Sequence, residues 1–182
     1  MSGGVLGYSG TWPVGGFVSD MFGADHSSTV GVPRFCGMVD ASVAEDSLMK
    51  VEGRCHCGAI NYEAEIDPEA VRICHCTDCQ TLTGSAYRVN VQTPAASFVL
   101  RSGQPKIYIK TAESGNRRAH AFCPDCGTPI YAAAEGPSPP NFALRVGTLK
   151  QRRELKPTRQ IWSRSQLPWA ADLRDVTTVD RQ

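Results

Sequence analysis

Gly53-Arg54-Cys55-His56-Cys57-Gly58-Ala59-Ile60-Asn61-Tyr62-Glu63-Ala64-Glu65-Ile66 carries two signals side by side. In its second half Ile60, Tyr62, Ala64 and Ile66 interleave with Asn61, Glu63 and Glu65. That period of two is the pattern of a strand with one buried face. In its first half two cysteines stand one residue apart, ahead of a glycine. Such cysteines point to opposite sides of an extended chain and make a poor disulfide with each other. The stretch reads as a metal-ligating thiol pair leading into a β-strand.

Both themes recur downstream. Tyr87, Val89 and Val91 alternate with Arg88, Asn90 and Gln92; Ile107, Ile109 and Thr111 repeat the pattern, as do Phe142, Leu144 and Val146. Pro68, Pro94, Gly103-Gln104-Pro105, Gly115-Asn116 and Gly136-Pro137 punctuate the runs as turns. No long window shows a 3.6 period, and the one expected helical turn lies near Thr77 to Leu82. Short strands at regular spacing predict a mainly β domain of antiparallel sheets. It spans residues 49–170, with a loose tail over 171–182.

The first 48 residues differ from the rest. They hold five acids and one base, and nine of the 17 glycines, without alternation. Such a stretch buries too little apolar surface to offset its ordering entropy. Residues 1–48 are therefore expected to be an irregular or disordered extension. The abrupt change at Met49 also fits a translation start there. The segment lacks the basic and apolar blocks of a secretory signal, so the expected location is cytoplasmic. The whole chain has a net charge of +1, which argues against a general nucleic-acid binder. No apolar run approaches the length of a membrane-spanning helix.

Seven of the eight cysteines fall into three clusters: Cys55 and Cys57; Cys74, Cys76 and Cys79; Cys123 and Cys126. Cys36 stands alone in the extension. Clustering at turns beside Gly and Pro is unlike core packing, and free thiols in a reducing compartment point to metal. Cys123-Pro124-Asp125-Cys126-Gly127 reads as a zinc knuckle that supplies two ligands and needs a second pair. Cys55 and Cys57 are the natural pair, giving a closed four-thiolate structural site. Spacing alone also allows Cys74 and Cys76 to complete it. The remaining cluster, Cys74, Cys76 and Cys79, offers three ligands, the donor number of a catalytic zinc with one open position. His56, His75, His120 and Asp78 are further candidate ligands, with Cys36 after them. Alternation points His56 and His75 away from any ion that their neighbours hold. The same thiolates also suit an iron–sulfur cluster.

These residues resemble the glutathione-dependent formaldehyde-activating enzyme family, also called the centromere-protein-V/GFA domain. The resemblance rests on Gly53–Gly58, on Cys74-His75-Cys76-Thr77-Asp78-Cys79-Gln80, and on Phe122-Cys123-Pro124-Asp125-Cys126-Gly127-Thr128-Pro129-Ile130. Gly84-Ser85-Ala86, Gly103-Gln104-Pro105, Val146-Gly147-Thr148-Leu149, Ile161-Trp162 and Trp169 support it. It implies an Mss4-like (β-tent) fold of antiparallel sheets organised around two zinc ions per chain. It also implies that Cys55, Cys57, Cys123 and Cys126 hold a structural zinc, and that Cys74, Cys76 and Cys79 hold a catalytic one. The implied activity is carbon–sulfur lyase chemistry, in which glutathione or another small thiol combines with formaldehyde or a related small aldehyde. Many members have His before the Ile-Trp pair, where this chain has Gln160, which cannot titrate.

Glutathione carries two carboxylates, which basic side chains orient; Arg54, Arg72, Arg117 and Arg118 are the candidates. The alternative function is a non-catalytic zinc-binding interaction module for chromatin, RNA or protein. Its support is the basic run Lys150, Arg152, Arg153, Lys156 and Arg159.

Overall fold

The computed structural model describes residues 48–181. The expected extension, the start at Met49 as it concerns the residues upstream, and Cys36 lie outside the described residues. Within them, β1 (Met49–Arg54) pairs antiparallel with β2 (Asn61–Ile66), and β2 with β5 (Phe98–Ser102). This small sheet packs on a larger one of seven strands. Its members are β3 (Arg72–Cys74), β4 (Arg88–Pro94), β6 (Lys106–Thr111), β7 (Arg117–Phe122), β8 (Pro129–Ala134), β9 (Asn141–Arg145) and β10 (Arg159–Ile161). Their spatial order is β10-β3-β4-β9-β8-β7-β6. All neighbours in it are antiparallel except β10, which runs parallel to β3. The sheets are thus mostly antiparallel, as expected, with one parallel edge. Among the described residues a single α-helix, α1 (Thr77–Thr83), stands where the helical turn is expected.

The core forms between the two sheets. Val51, Tyr62, Ala64 and Ile66 of the small sheet meet Val91, Ile130 and Leu144 of the large one. The alternation in β2 is realised, with Tyr62, Ala64 and Ile66 buried and Glu63 exposed. Phe98, Tyr131 and Phe142 close one end in mutual ring contacts of 4.7–5.4 Å. Each buried aliphatic side chain contributes about 1.5–3 kcal/mol. Thr93 Oγ1 donates to the Glu65 carbonyl at 2.7 Å, tying the two sheets together.

Two expectations are corrected. Alternation predicts an inward face for Ile107, but β6 is the edge of its sheet and Ile107 is 41% exposed. The same reasoning leaves Arg88, Asn90 and Arg145 in solvent. They are instead buried, at 4%, 5% and 7% exposure. β4 and β9 are interior strands, covered on both faces. Residues 171–181 are exposed throughout.

Candidate metal centres and the cationic face beside them

The tight turn after β1 and the turn before β8 are built alike. Cys55 N donates to the Ile60 carbonyl at 3.0 Å and Gly58 N to the Cys55 carbonyl at 3.2 Å. Across from them, Cys123 N donates to Thr128 O and Gly127 N to Cys123 O, both at 2.9 Å. Gly58 and Gly127 take φ of 83° and 72°, where a side chain would be strained. His56 N donates to Thr128 Oγ1 at 3.1 Å and holds the two turns together.

This brings Cys55, Cys57, Cys123 and Cys126 into one group, every Sγ within 4.8 Å of the others. Cys55 and Cys57 sulfurs lie 3.4 Å apart, and Cys57 and Cys123 sulfurs 3.7 Å. A disulfide would need about 2.05 Å. A tetrahedron of about 2.3 Å Zn–S bonds has edges of about 3.8 Å, so the donor set fits zinc. Ile60 N donates to Cys55 Sγ at 3.2 Å, and Thr128 beside Cys126 holds its pKa down to about 5. Both favour thiolate.

The second group is Cys74, Cys76 and Cys79, again with sulfurs within 4.8 Å. Cys74 ends β3. Cys76 caps α1, its Sγ accepting from Cys79 N at 3.4 Å, and Gly84 closes the helix in the left-handed conformation. The first turn of the helix folds Cys79 back onto the other two. A hydrogen bond from Cys79 holds the Cys74 pKa down to about 5, and Arg88 adds to the effect. Cys79 is pushed up in turn, first by Cys74 and then by burial. The pairing of Cys74 and Cys76 with Cys123 and Cys126 does not occur.

None of His56, His75, His120 or Asp78 joins either group among the described residues. His56 is exposed. His75, 1% exposed, shares a 2.8 Å hydrogen bond between its Nε2 and Gln160 Oε1, with Nδ1 unpartnered. Gln160 therefore orients a buried imidazole next to two thiols. Asp78 is ion-paired with Lys110 of β6. That pair reaches from α1, which follows β3, to the far edge of the sheet. A flat sheet would hold those strands about 24 Å apart, so the sheet curls around the face between them.

That face is cationic. Cα pairing sets Cys74 opposite Arg88, Arg72 opposite Asn90, and Asn90 opposite Arg145. Opposed residues share a face. Arg145 Nη1 donates to Asn90 Oδ1, and Arg145 Nη2 lies 3.3 Å from His120 Nδ1. Burial, then Arg145, Arg88, Lys110 and Arg118, depress His120 to about 3, so it is neutral at pH 7. Burial and Arg88 also depress Arg145.

Of the arginines expected to orient a substrate, Arg54 and Arg117 are exposed, and Arg117 pairs with Glu135. Arg72 and Arg118 are half-buried; burial lowers Arg118, and the charge of Arg72 adds to that. Sequence reasoning missed Arg88, Asn90 and Arg145, because polar residues between valines and leucines read as solvent-facing. Trp162, just past Ile161 opposite Cys74, is the one non-glycine at positive φ among the described residues, at 60°. Its ring lies 4.8 Å from the Arg164 guanidinium. Lys150, Arg153 and Arg159 of the basic run are exposed, and Lys150 is paired with Glu52.

Comparison with known proteins adds two findings. A family model described as glutathione-dependent formaldehyde-activating enzyme matches residues 50–165. A Rhodobacter sphaeroides protein of known crystal structure is 22% identical, over 62% of this chain and 99% of its own, with a TM-score of 0.47.

Proposed function

This chain belongs to the glutathione-dependent formaldehyde-activating enzyme family, and from that premise we propose that it catalyses carbon–sulfur bond chemistry between a small thiol, such as glutathione, and formaldehyde or a related small aldehyde. The observation that carries the reading is the group of three sulfurs, Cys74, Cys76 and Cys79, with no fourth donor among the described residues. Three donors leave an ion able to accept one more. Cys55, Cys57, Cys123 and Cys126 would hold a structural zinc, stapling the turn after β1 to the turn before β8. Zinc on the three-cysteine group would supply Lewis acidity, favouring ionisation of an incoming thiol.

The chain's own residues do the rest. In the forward direction sulfur adds to the carbonyl carbon, one S–C bond forms, and the thiol proton ends on the former carbonyl oxygen. Reversal releases the aldehyde and the free thiol, the lyase direction. The buried guanidinium groups of Arg88 and Arg145 set a positive potential where negative charge develops. His120, neutral between those cations, can accept a hydrogen bond without adding charge. Gln160 cannot donate or take the proton as an acid or base, so in this chain the transferred proton passes through another group or solvent.

Turnover of glutathione with carbon-13 formaldehyde, followed by NMR together with zinc content per chain, tests the reading. Wild-type protein is expected to carry two zinc ions and to accelerate adduct formation and breakdown. Cys76→Ser keeps the helix cap, since serine caps well. It is expected to stay folded, drop to one zinc and lose the acceleration. A Cys76→Ser protein with wild-type turnover overturns the proposal.

A further inference from the structure

Arg88 and Arg145 are two guanidinium groups inside the protein without an acid between them. Neither takes part in an ion pair with a carboxylate among the described residues, and the Arg88 side chain makes no hydrogen bond there. The Nε atoms of both are buried and unpartnered. The acid on α1, Asp78, is taken by Lys110. Arg118, Lys110 and Arg72 add further positive charge to the same face. A buried charge left unpaired costs several kcal/mol, and two side by side also repel.

Charge arithmetic indicates what is missing. Three thiolates on a divalent ion amount to 2 − 3 = −1, against +2 for the two arginines, a surplus of about one positive charge. One monoanion balances the surplus of the two arginines, and Arg72 and Arg118 add to its attraction. Guanidinium groups take carboxylates through paired N–H donors. Location narrows the ligand further. Arg88 stands directly opposite Cys74, and such pairs have Cβ atoms about 5 Å apart. The two side chains rise from one face on adjacent strands, so an anion on Arg88 lies near a sulfur held by the cysteine group.

We propose that Arg88 and Arg145 form a carboxylate subsite, and that the thiol this protein takes carries a carboxylate a few bonds from its sulfur. The proposal rests on the thiol reading above and names its substrate class. The arginines bind the carboxylate and so position the sulfur; beyond the positive potential they set, they take no part in bond making. Neutral thiols of the same size lack that anchor.

The test is calorimetric binding to the metal-loaded protein as purified, with mercaptoacetate, 2-mercaptoethanol and acetate as probes. Wild-type protein is expected to bind mercaptoacetate at least tenfold tighter than 2-mercaptoethanol, with acetate competing. Arg88→Met is expected to lower that ratio at least tenfold. Its melting temperature is expected not to fall, because the substitution removes an unpaired buried charge. Arg145→Lys, which keeps the charge but not the fork, is a second variant and should also lower the ratio.

A ratio near one in wild-type protein overturns the subsite without any variant, even if thiol–aldehyde turnover is normal. An unchanged ratio in Arg88→Met overturns it too. Acetate binding that disappears in Arg88→Met, in a protein that binds no thiol, upholds the carboxylate subsite while the thiol reading fails.

Discussion

Gly53→Ala puts a single methyl group where the fold has no room for it. Gly53 lies opposite Tyr62 in the β1–β2 pair, two residues before Cys55. A Cβ built on Gly53 falls 2.5 Å from Tyr62 Cε1 and closer still to Cζ. The ring is 1% exposed and is wedged against Phe98 at 5.3 Å, so it cannot simply swing away. The backbone at Gly53 does not take a positive φ, so the cost is one of space and not of glycine's conformational freedom. Overpacking of this kind costs about 1–3 kcal/mol. Displacing the ring also stretches the 2.5 Å bond from Tyr62 OH to Thr148 Oγ1, worth about 1 kcal/mol. Together the loss is about 3 kcal/mol. With an unfolding entropy of about 2.1 cal/mol/K per residue over roughly 130 residues, the melting temperature should fall by about 11 °C.

The strain also has a route to the site, because Thr148 Oγ1 donates to the Arg145 carbonyl at 2.7 Å. Thermal melts by circular dichroism on wild type, Gly53→Ala, Tyr62→Leu and the double variant make the test. The smaller leucine should relieve the clash, leaving the double variant at least about 1 kcal/mol more stable than additivity requires. A drop below about 3 °C for Gly53→Ala, or strict additivity, would refute the steric account.

Two further outcomes follow from the buried polar groups. His120 is depressed from 6.5 to about 3 by burial and by the cations Arg145, Arg88, Lys110 and Arg118. The unfolded chain then binds more protons between those values, so stability should rise with pH through that window and be lost as pH falls through it. Denaturant titrations at pH 7 and pH 4.5 should show a smaller acid loss for His120→Gln than for wild type, and equal losses would contradict the assignment. Gln160→Ala removes the partner of His75 Nε2 and should cost about 1 kcal/mol, the low end for a lost hydrogen bond because Gln160 is exposed. A loss too small to measure in urea would mean that the contact is not formed in solution.

Local chemistry made much of this protein legible without a structure. The alternation of Ile60, Tyr62, Ala64 and Ile66 defines β2 because a strand with one buried face imposes a period of two. Gly58 and Gly127 mark the cysteine turns because those turns need positive φ. The spacing of Cys74, Cys76 and Cys79 across the start of a helix brings three sulfurs together through contacts no more than five residues apart. β7 and β8 were less legible: their alanines, with His120 and Arg118, carry no clean alternation of apolar and polar residues.

Tertiary structure alone decided three matters. Spacing left two partners open for the Cys123–Cys126 knuckle, and only the placement of the turn after β1 beside the turn before β8 selected Cys55 and Cys57. The parallel pairing of β10 with β3 brings Gln160 to His75 across 85 residues, and no local pattern encodes a partner at that distance. Above all, Arg88, Asn90 and Arg145 look like solvent-facing residues of amphipathic strands. Their burial depends on strand order, on the curl of the large sheet and on the Asp78–Lys110 pair that links α1 to its far edge. Sequence periodicity reports which face of a strand is apolar. Whether the polar face meets water or a functional site depends on what the rest of the chain places over it.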